Sequence, residues 1–272
     1  MDIDELRKQP HLSHSGISDY IECGLLYKFA RIDKIKRPFR SDALELGSTI
    51  HKVLADFYQA KMIGEILPLD ELQQLFETYW KKTAENKGDI KYKAGKDYKS
   101  LLQEGKHLLK AYYDRLPEED YRVLAIEEPF QFTIEGIAVP IIGIFDLVEE
   151  DESGAVIITD WKTSSKAYSL ADVDKSLQLT LYHLAVQMNG YSDREILLRF
   201  DCLIKTKTPT FDQYYTVRTE KDSRRALKKI QRVWEGITKG IFIPNDQSWK
   251  CKYCTYKSSC EEWFEGGQND AS

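Results

Sequence analysis

The 272-residue chain has no apolar run approaching the roughly 20 residues that a membrane helix needs. Its opening, MDIDELRKQP, is polar and acidic, unlike a secretory leader, so it reads as a cytoplasmic protein with no membrane association. Positive charge is not in excess. The formal net charge of −5 argues against coating nucleic acid by bulk charge, though not against a local basic groove. There is no G-x-x-x-x-G-K loop, so no nucleotide-driven motor is expected within the chain. There is also no internal repeat and no low-complexity segment. Cysteine is sparse: Cys23, Cys202, Cys251, Cys254 and Cys260. A reducing compartment disfavours a disulfide framework, and three of the five crowd into the last part of the chain, which points to metal or cluster ligation.

What is present is organised around residues 137–162, IAVPIIGIFDLVEEDESGAVIITDWK. Two runs rich in Ile and Val flank an acidic turn in which Gly154 supplies the permissive backbone, the pattern of a β-hairpin. The first run carries one charge, Asp146, and the second ends in Asp160 and Lys162. Carboxylates buried in strands are normally paired or bound to a cation. Side chains two apart on a strand share a face, so Lys162 and Asp160 flank one point.

Around this hairpin the periodicity predicts helices over residues 42–63, from Pro68 through Trp80, and over 99–116, stopped by Pro117. An earlier helix is expected after Ser13 and Ser15, with Ile17, Ile21, Leu25 and Phe29 as its stripe. Alternation predicts strands at 121–134, 195–205 and 211–217. Further helices are expected at 170–189 and 220–239, each stopped by glycine. The order predicts an α/β fold with a mixed central β-sheet flanked by helices. It reads as one domain over 1–272. Residues 42–116 form a helical insertion or cap, 121–218 the α/β core, 219–240 a helix, and 241–264 a Cys-rich segment. Two stretches, 31–40 and 81–99, are basic enough to line a groove, or to be no more than solvated surface.

The triplet D-x-K carries no information alone, since Glu85-x-Lys87, Asp89-x-Lys91, Asp97-x-Lys99 and Glu104-x-Lys106 also occur. Only Asp160-Trp161-Lys162 ends an apolar strand and follows a strand with its own lone acid. Two carboxylates and a backbone carbonyl suit a hard divalent ion, Mg²⁺ or Mn²⁺, and a salt bridge at a strand edge is the competing reading. His51 lies on a helix among apolar neighbours, as many core histidines do. Gln178 and Tyr182 lie four apart and share a helix face. Cys251-x-x-Cys254 can wrap one metal, and Cys260 adds a third thiolate. Cys23 is a better fourth ligand than Cys202, which sits inside a predicted strand. Spacing alone leaves zinc and an iron–sulfur cluster both open.

Taken in order, Gly47-x-x-x-His51, Gly143-x-x-Asp146, Asp160-x-Lys162-Thr163 and Gln178-x-x-x-Tyr182 resemble the motif series of the PD-(D/E)xK nucleases. The nearest branch is the RecB-type exonucleases and CRISPR adaptation nucleases, and the likeness spans nearly the whole chain. It implies a restriction-endonuclease-like core and a metal-dependent DNA exonuclease preferring single strands or free ends, in recombination and repair, CRISPR adaptation or phage DNA processing. It also admits a helicase or integrase partner. His51, Asp146, Asp160 and the Trp161 carbonyl would hold the metal, Lys162 would be the catalytic lysine, and Gln178 and Tyr182 would orient it or contact the strand. Cys23, Cys251, Cys254 and Cys260 would bind a [4Fe-4S] cluster stapling the chain's two ends together, with Zn²⁺ as the alternative occupant. One departure is Gly24 where that branch has proline after the first cysteine. Glu127 and Glu128 are read as mainly structural. A non-catalytic DNA-binding or scaffold subunit with a zinc site is the rival reading.

Overall fold

A computed structural model describes residues 2–86, 90–116 and 121–266. Lys87, Gly88, Asp89 and Pro117, which figure in the sequence reading, lie outside them. The elements are, in order, α1 (Ile3–Lys8), β1 (Leu12–Ser13), α2 (His14–Glu22), α3 (Gly24–Tyr27), β2 (Arg40–Ser41), α4 (Asp42–Met62), α5 (Leu69–Asn86), β3 (Ile90–Lys91) and α6 (Tyr98–Tyr113). They continue with β4 (Arg122–Phe132), β5 (Ile141–Glu150), β6 (Val156–Ser164), α7 (Leu170–Asp174), α8 (Leu177–Met188), β7 (Ile196–Ile204), β8 (Thr210–Thr216), α9 (Glu220–Thr238) and α10 (Lys257–Phe264). A π-helical turn, Lys28–Ile32, follows α3, and a 3₁₀ turn, Trp249–Tyr253, precedes α10.

Six strands form one mixed sheet in the order β1-β5-β6-β7-β8, with β4 antiparallel to β5. β6 and β7 are parallel, joined through α7 and α8, and β7 and β8 are antiparallel. One edge of β5 is lined by β4 over nearly its full length. The other edge is shared. β1 pairs in parallel at Ile141 and Ile142, and β6 pairs antiparallel at Leu147 to Glu150. Residues 143–146 have no ladder partner on that edge among the described residues, so β5 and β6 splay apart where Asp146 sits.

Helices cover both faces. One core holds Ile17 of α2, Leu179 and Leu181 of α8 and Ile230 of α9 against Val156, Ile158 and Phe200 of the sheet. The other packs Leu46, Ile50 and Phe57 of α4, Phe76 and Trp80 of α5, and Leu108 and Tyr112 of α6 against Leu147, Trp161 and Phe211. At about 2 kcal/mol for each fully buried large apolar side chain, the helices of residues 42–116 share their core with the sheet. α4 begins where Ser41 Oγ accepts from the Leu44 amide, and it ends before Gly64, whose φ is +82°. Gly105 lets α6 lie on α5, because a Cβ there would meet the Phe76 ring at 2.0 Å.

Two predicted helices are interrupted. The N-terminal stripe breaks at Cys23, whose extended backbone (φ −163°, ψ 113°) separates α2 from α3. Ile17 therefore joins the main core, Leu25 and Phe29 pack with Tyr256 in a small cluster of their own, and Ile21 is left exposed. The predicted helix at 170–189 is two, because Ser176 leaves helical geometry to cap α8 through its hydroxyl. Leu44 of α4 and Met188 of α8 are about half exposed. The helix expected to reach 116 ends at Tyr113. The central hairpin starts at Ile141 rather than 137 and turns through Gly154 at φ +87°. No helix among the described residues is long and apolar enough to cross a membrane.

Candidate active site

The opening between β5 and β6 decides where the polar groups go. Beyond Thr159 the β6 backbone has lost β5 as a partner, so its amides on that side need other acceptors. The Trp161 amide donates to Asp146 Oδ2 at 2.8 Å. The β5–β6 register, continued by one pair, sets Asp146 opposite Asp160. Alternation along β6 turns Trp161 into the α4–α6 core, where it is fully buried and stacks on Tyr58, and turns Asp160 and Lys162 toward α8.

There Lys162 Nζ lies 2.6 Å from Asp160 Oδ2 and donates to Gln178 Oε1 at 2.6 Å. Gln178 Nε2 donates back to Asp160 Oδ1, which also accepts from Tyr182 OH at 2.8 Å. Gln178 and Tyr182 project from the first two turns of α8 and are joined at 3.1 Å. The ammonium of Lys162 also sits 5.1 Å from the centre of the Phe200 ring. His51 of α4 closes the opposite side, with Nδ1 3.5 Å from Asp146 Oδ2 and its ring edge-on to Trp161. Gly47, one turn earlier, lies where a Cβ would be 3.0 Å from Thr163 Oγ1, which lets α4 approach the end of β6.

The electrostatics follow from burial. Desolvation raises the Asp146 carboxyl well above the ordinary carboxylate range, and the charge of Asp160 raises it further. Burial pulls Lys162 down, but pairing with Asp160 and the nearness of Asp146 outweigh it, and the lysine stays a cation. Burial also lowers His51, so its imidazole is neutral and free to act as a ligand. Burial lifts the Tyr182 phenol well above its usual value, which keeps it a donor to Asp160.

This donor set suits a hard divalent cation. Two buried carboxylates repel each other, and Asp160 Oδ2 has no hydrogen-bond donor among the described residues beyond the ammonium it faces. The side chains are not drawn into a ligand shell. Among the described residues, no three His, Cys, Asp or Glu groups are close enough to hold a metal as they stand.

Sequence reasoning missed His14, the first residue of α2. The parallel pairing of β1 with β5 carries His14 to the mouth of the opening. Burial, the largest cause, and the charge of Lys162 bring its pKa down to about 4. Its position just after the Ser13 cap was the only sequence signal available. Glu127 lies on β4 between Ile126 and Glu128, whose partners Leu147 and Phe145 flank Asp146 on β5, and its φ of +47° is a left-handed value uncommon outside glycine. Burial raises its carboxyl, and the chain there is kinked rather than regular strand. Glu128 is likewise raised by burial.

The cysteines gather at the far end of α2. The Asn245 amide donates to Cys23 Sγ at 3.4 Å, and Cys251 Sγ donates to the Asn245 carbonyl at 3.3 Å. Cys23, Cys254 and Cys260 pack around Leu25, Phe29 and Tyr256. Burial, and then the neighbouring sulfurs, raise the thiols of Cys254 and Cys260. Cys202 is fully buried within β7, and burial pushes its thiol up to about 12. Within the basic stretches singled out in the sequence, Arg31 pairs with Asp19, Arg40 with Glu45, and Lys96 with Glu104.

A mixed sheet opened at two strand ends, with D-x-K at the opening and a helix carrying Gln and Tyr above it, defines a class of phosphodiester-cleaving enzymes. The sequence profile of the PD-(D/E)XK nuclease superfamily matches residues 11–261, and the chain belongs to that superfamily. It is similar to the Gene 69 protein of Mycobacterium phage D29, with 27% identity over 93% of this chain and 97% of that protein. Its fold resembles that of a candidate exonuclease of Eubacterium rectale, with a TM-score of 0.56 and 12% identity over 89% of this chain and 87% of the other. The architecture is the restriction-endonuclease-like one.

Proposed function

We propose that the protein is a metal-dependent DNA exonuclease that hydrolyses phosphodiester bonds, preferring single strands or free ends. The observation that carries this reading is the convergence of Asp146, Asp160 and Lys162 at the splayed edge of β5 and β6, with Gln178 bridging Asp160 and Lys162. His51, Asp146, Asp160 and the Trp161 carbonyl would hold Mg²⁺ or Mn²⁺. When bound, the ion supplies Lewis-acid polarisation of the phosphodiester. The remaining work falls to the chain's own groups. Gln178, accepting from Lys162 and donating to Asp160, fixes the ammonium beside the carboxylate. Tyr182 holds Asp160 Oδ1 from the other side. Lys162 orients the attacking water and offsets the charge that develops on the phosphate oxygens.

Cys23 and Cys251, both hydrogen-bonded to Asn245, and Cys254 and Cys260, near enough for the sulfurs to act on one another electrostatically, support a [4Fe-4S] cluster, with Zn²⁺ as the other occupant. Its role is structural, and iron and zinc analysis of anaerobically purified protein distinguishes the two. Recombination and repair, CRISPR adaptation and phage DNA processing all suit the activity, with a helicase that opens the duplex or an integrase as the partner protein. For the site itself, Asp160→Ala and Lys162→Ala are each expected to lower cleavage at least ~10³-fold while oligonucleotide binding is kept. Wild-type turnover in either variant would refute the assignment.

A further inference from the structure

A second cleft lies apart from the catalytic opening. It holds about 1000 Å³ and lies on the other side of α8, between the C-terminal end of α2, the α7–α8 junction and α9. Its charge is uneven. Lys175, Arg225, Lys228, Lys229 and Arg232 line it, and all five are exposed. Among the described residues, Lys175, Arg225, Lys228 and Lys229 make no ion pair within 4 Å, and Arg232 meets only Glu235 of its own helix. The acids of the cleft are engaged internally. Glu22 takes Lys250 and Ser248, Asp174 accepts from Thr216, and Asp222 caps α9 through Thr219. The cleft therefore presents net positive charge in a chain whose formal charge is −5.

The spacing is regular. Arg225, Lys228, Lys229 and Arg232 fall at i, i+3, i+4 and i+7, one face of a helix, and extend over about 10.5 Å at 1.5 Å per residue. One nucleic-acid strand advances about 3.4 Å per phosphate in duplex geometry, so the stripe covers about three steps, from one phosphate to the fourth. Exposed Ile21 and Ile243 on the facing wall offer apolar surface to bases. The cleft is also joined to the catalytic opening through one element. Leu177 and Thr180 of α8 line the cleft, while Gln178 and Tyr182, on the same two turns, reach Asp160.

We infer that the cationic face of α9 and this cleft hold the sugar–phosphate backbone of a single nucleic-acid strand whose end is presented around the N-terminus of α8 to the Asp160–Lys162 site. The inference rests on the nuclease reading for the identity of the strand. It adds a binding track about which that reading says nothing.

The test measures the binding of a fluorescent 30-nucleotide DNA, and of its RNA counterpart, over a salt series in EDTA to hold cleavage off. The proteins are the wild type, the combined Arg225→Glu, Lys228→Glu, Lys229→Glu and Arg232→Glu variant, and Lys221→Glu as a same-helix control outside the cleft. At roughly 0.7 per neutralised phosphate on a single strand, the combined variant should flatten the log K against log salt slope by about 3 and weaken binding roughly tenfold or more at low salt. Lys221→Glu should follow the wild type. A photo-crosslinking residue at Lys228 should attach to the oligonucleotide, a readout that needs only a single substitution. Tighter binding of RNA than DNA would support the track and change the substrate of the nuclease reading. An unchanged slope in the combined variant, with no crosslink at Lys228, would overturn the inference and leave that reading standing. A wild type that binds neither strand would overturn both. A polyglutamate peptide binding as tightly as the oligonucleotide would assign the face to an acidic protein and overturn the strand track.

Discussion

Gln178 sits between the two charged groups at the end of β6. Its amide accepts from Lys162 and donates to Asp160, so one uncharged group sets the geometry of two charged ones. Gln178→Ala should leave the ammonium and the carboxylate in place but free to turn. The expected result is a kcat loss of about 10–100-fold with little change in KM, a smaller loss than that of Lys162→Ala because only orientation is removed. An equal loss in the two variants would mean that Gln178 has a direct chemical role. Asp146, Asp160 and Lys162 were legible because each stands out against an apolar strand, and Gln178 and Tyr182 because a four-residue spacing joins them. The Trp161 amide and His14 were not. The first depends on β5 ending its pairing with β6 at Leu147, and the second on β1 docking in parallel on β5. Both are long-range pairings that local patterns do not encode.

Among the elements, α8 carries the site's positioning residues, and its start is held by Arg218. The Arg218 guanidinium donates to the carbonyls of Val173 and Ser176 at 2.9 and 3.3 Å and to Thr180 Oγ1 at 2.8 Å. His183, one turn further on, is buried, and burial and then the charge of Arg218 depress its pKa below the usual 6.5. A histidine lowered in the folded state binds protons more readily when unfolded. Its contribution to stability is complete above pH 6.5 and is lost as the pH falls below it toward the folded value. His183→Gln should therefore show a shallower loss of melting temperature between pH 6.5 and 5 than the wild type. Parallel curves for the two proteins would contradict this. The helices over residues 42–63 and 220–239 were legible nearly to the residue, because caps and glycine stops agree with the periodicity there. The breaks at Cys23 and Ser176 were not, because the apolar pattern continues across both while the backbone is redirected by tertiary partners.

For the molecule as a whole, the two ends of the chain are fastened together at Gly24. Its amide donates to the Ile243 carbonyl at 2.9 Å, and a Cβ would come within 2.6 Å of the Ile243 amide nitrogen. This accounts for glycine at this position, since proline would remove the donor and add atoms where there is no room. Tyr20 OH donating to the Ile241 carbonyl and Asn245 Nδ2 donating to the Glu22 carbonyl extend the same junction. Gly24→Pro should lower the melting temperature by roughly 5–10 °C, and Gly24→Ala should lower it by less because the donor is kept. Equal melting temperatures in all three proteins would show that the junction adds no stability. The mixed sheet flanked by helices was legible from the order of helical and alternating segments. The position of the opening within that sheet was not, and the opening is where Asp146, Asp160 and Lys162 converge. The most direct test of the account is cleavage of end-labelled single- and double-stranded DNA by anaerobically purified protein with Mg²⁺, with Mn²⁺ or with EDTA, alongside Lys162→Ala. The account predicts release of label with either metal, none in EDTA and none from the variant. Intact DNA under every condition, with binding retained, would contradict it and leave a DNA-binding subunit that has kept the nuclease fold without the activity.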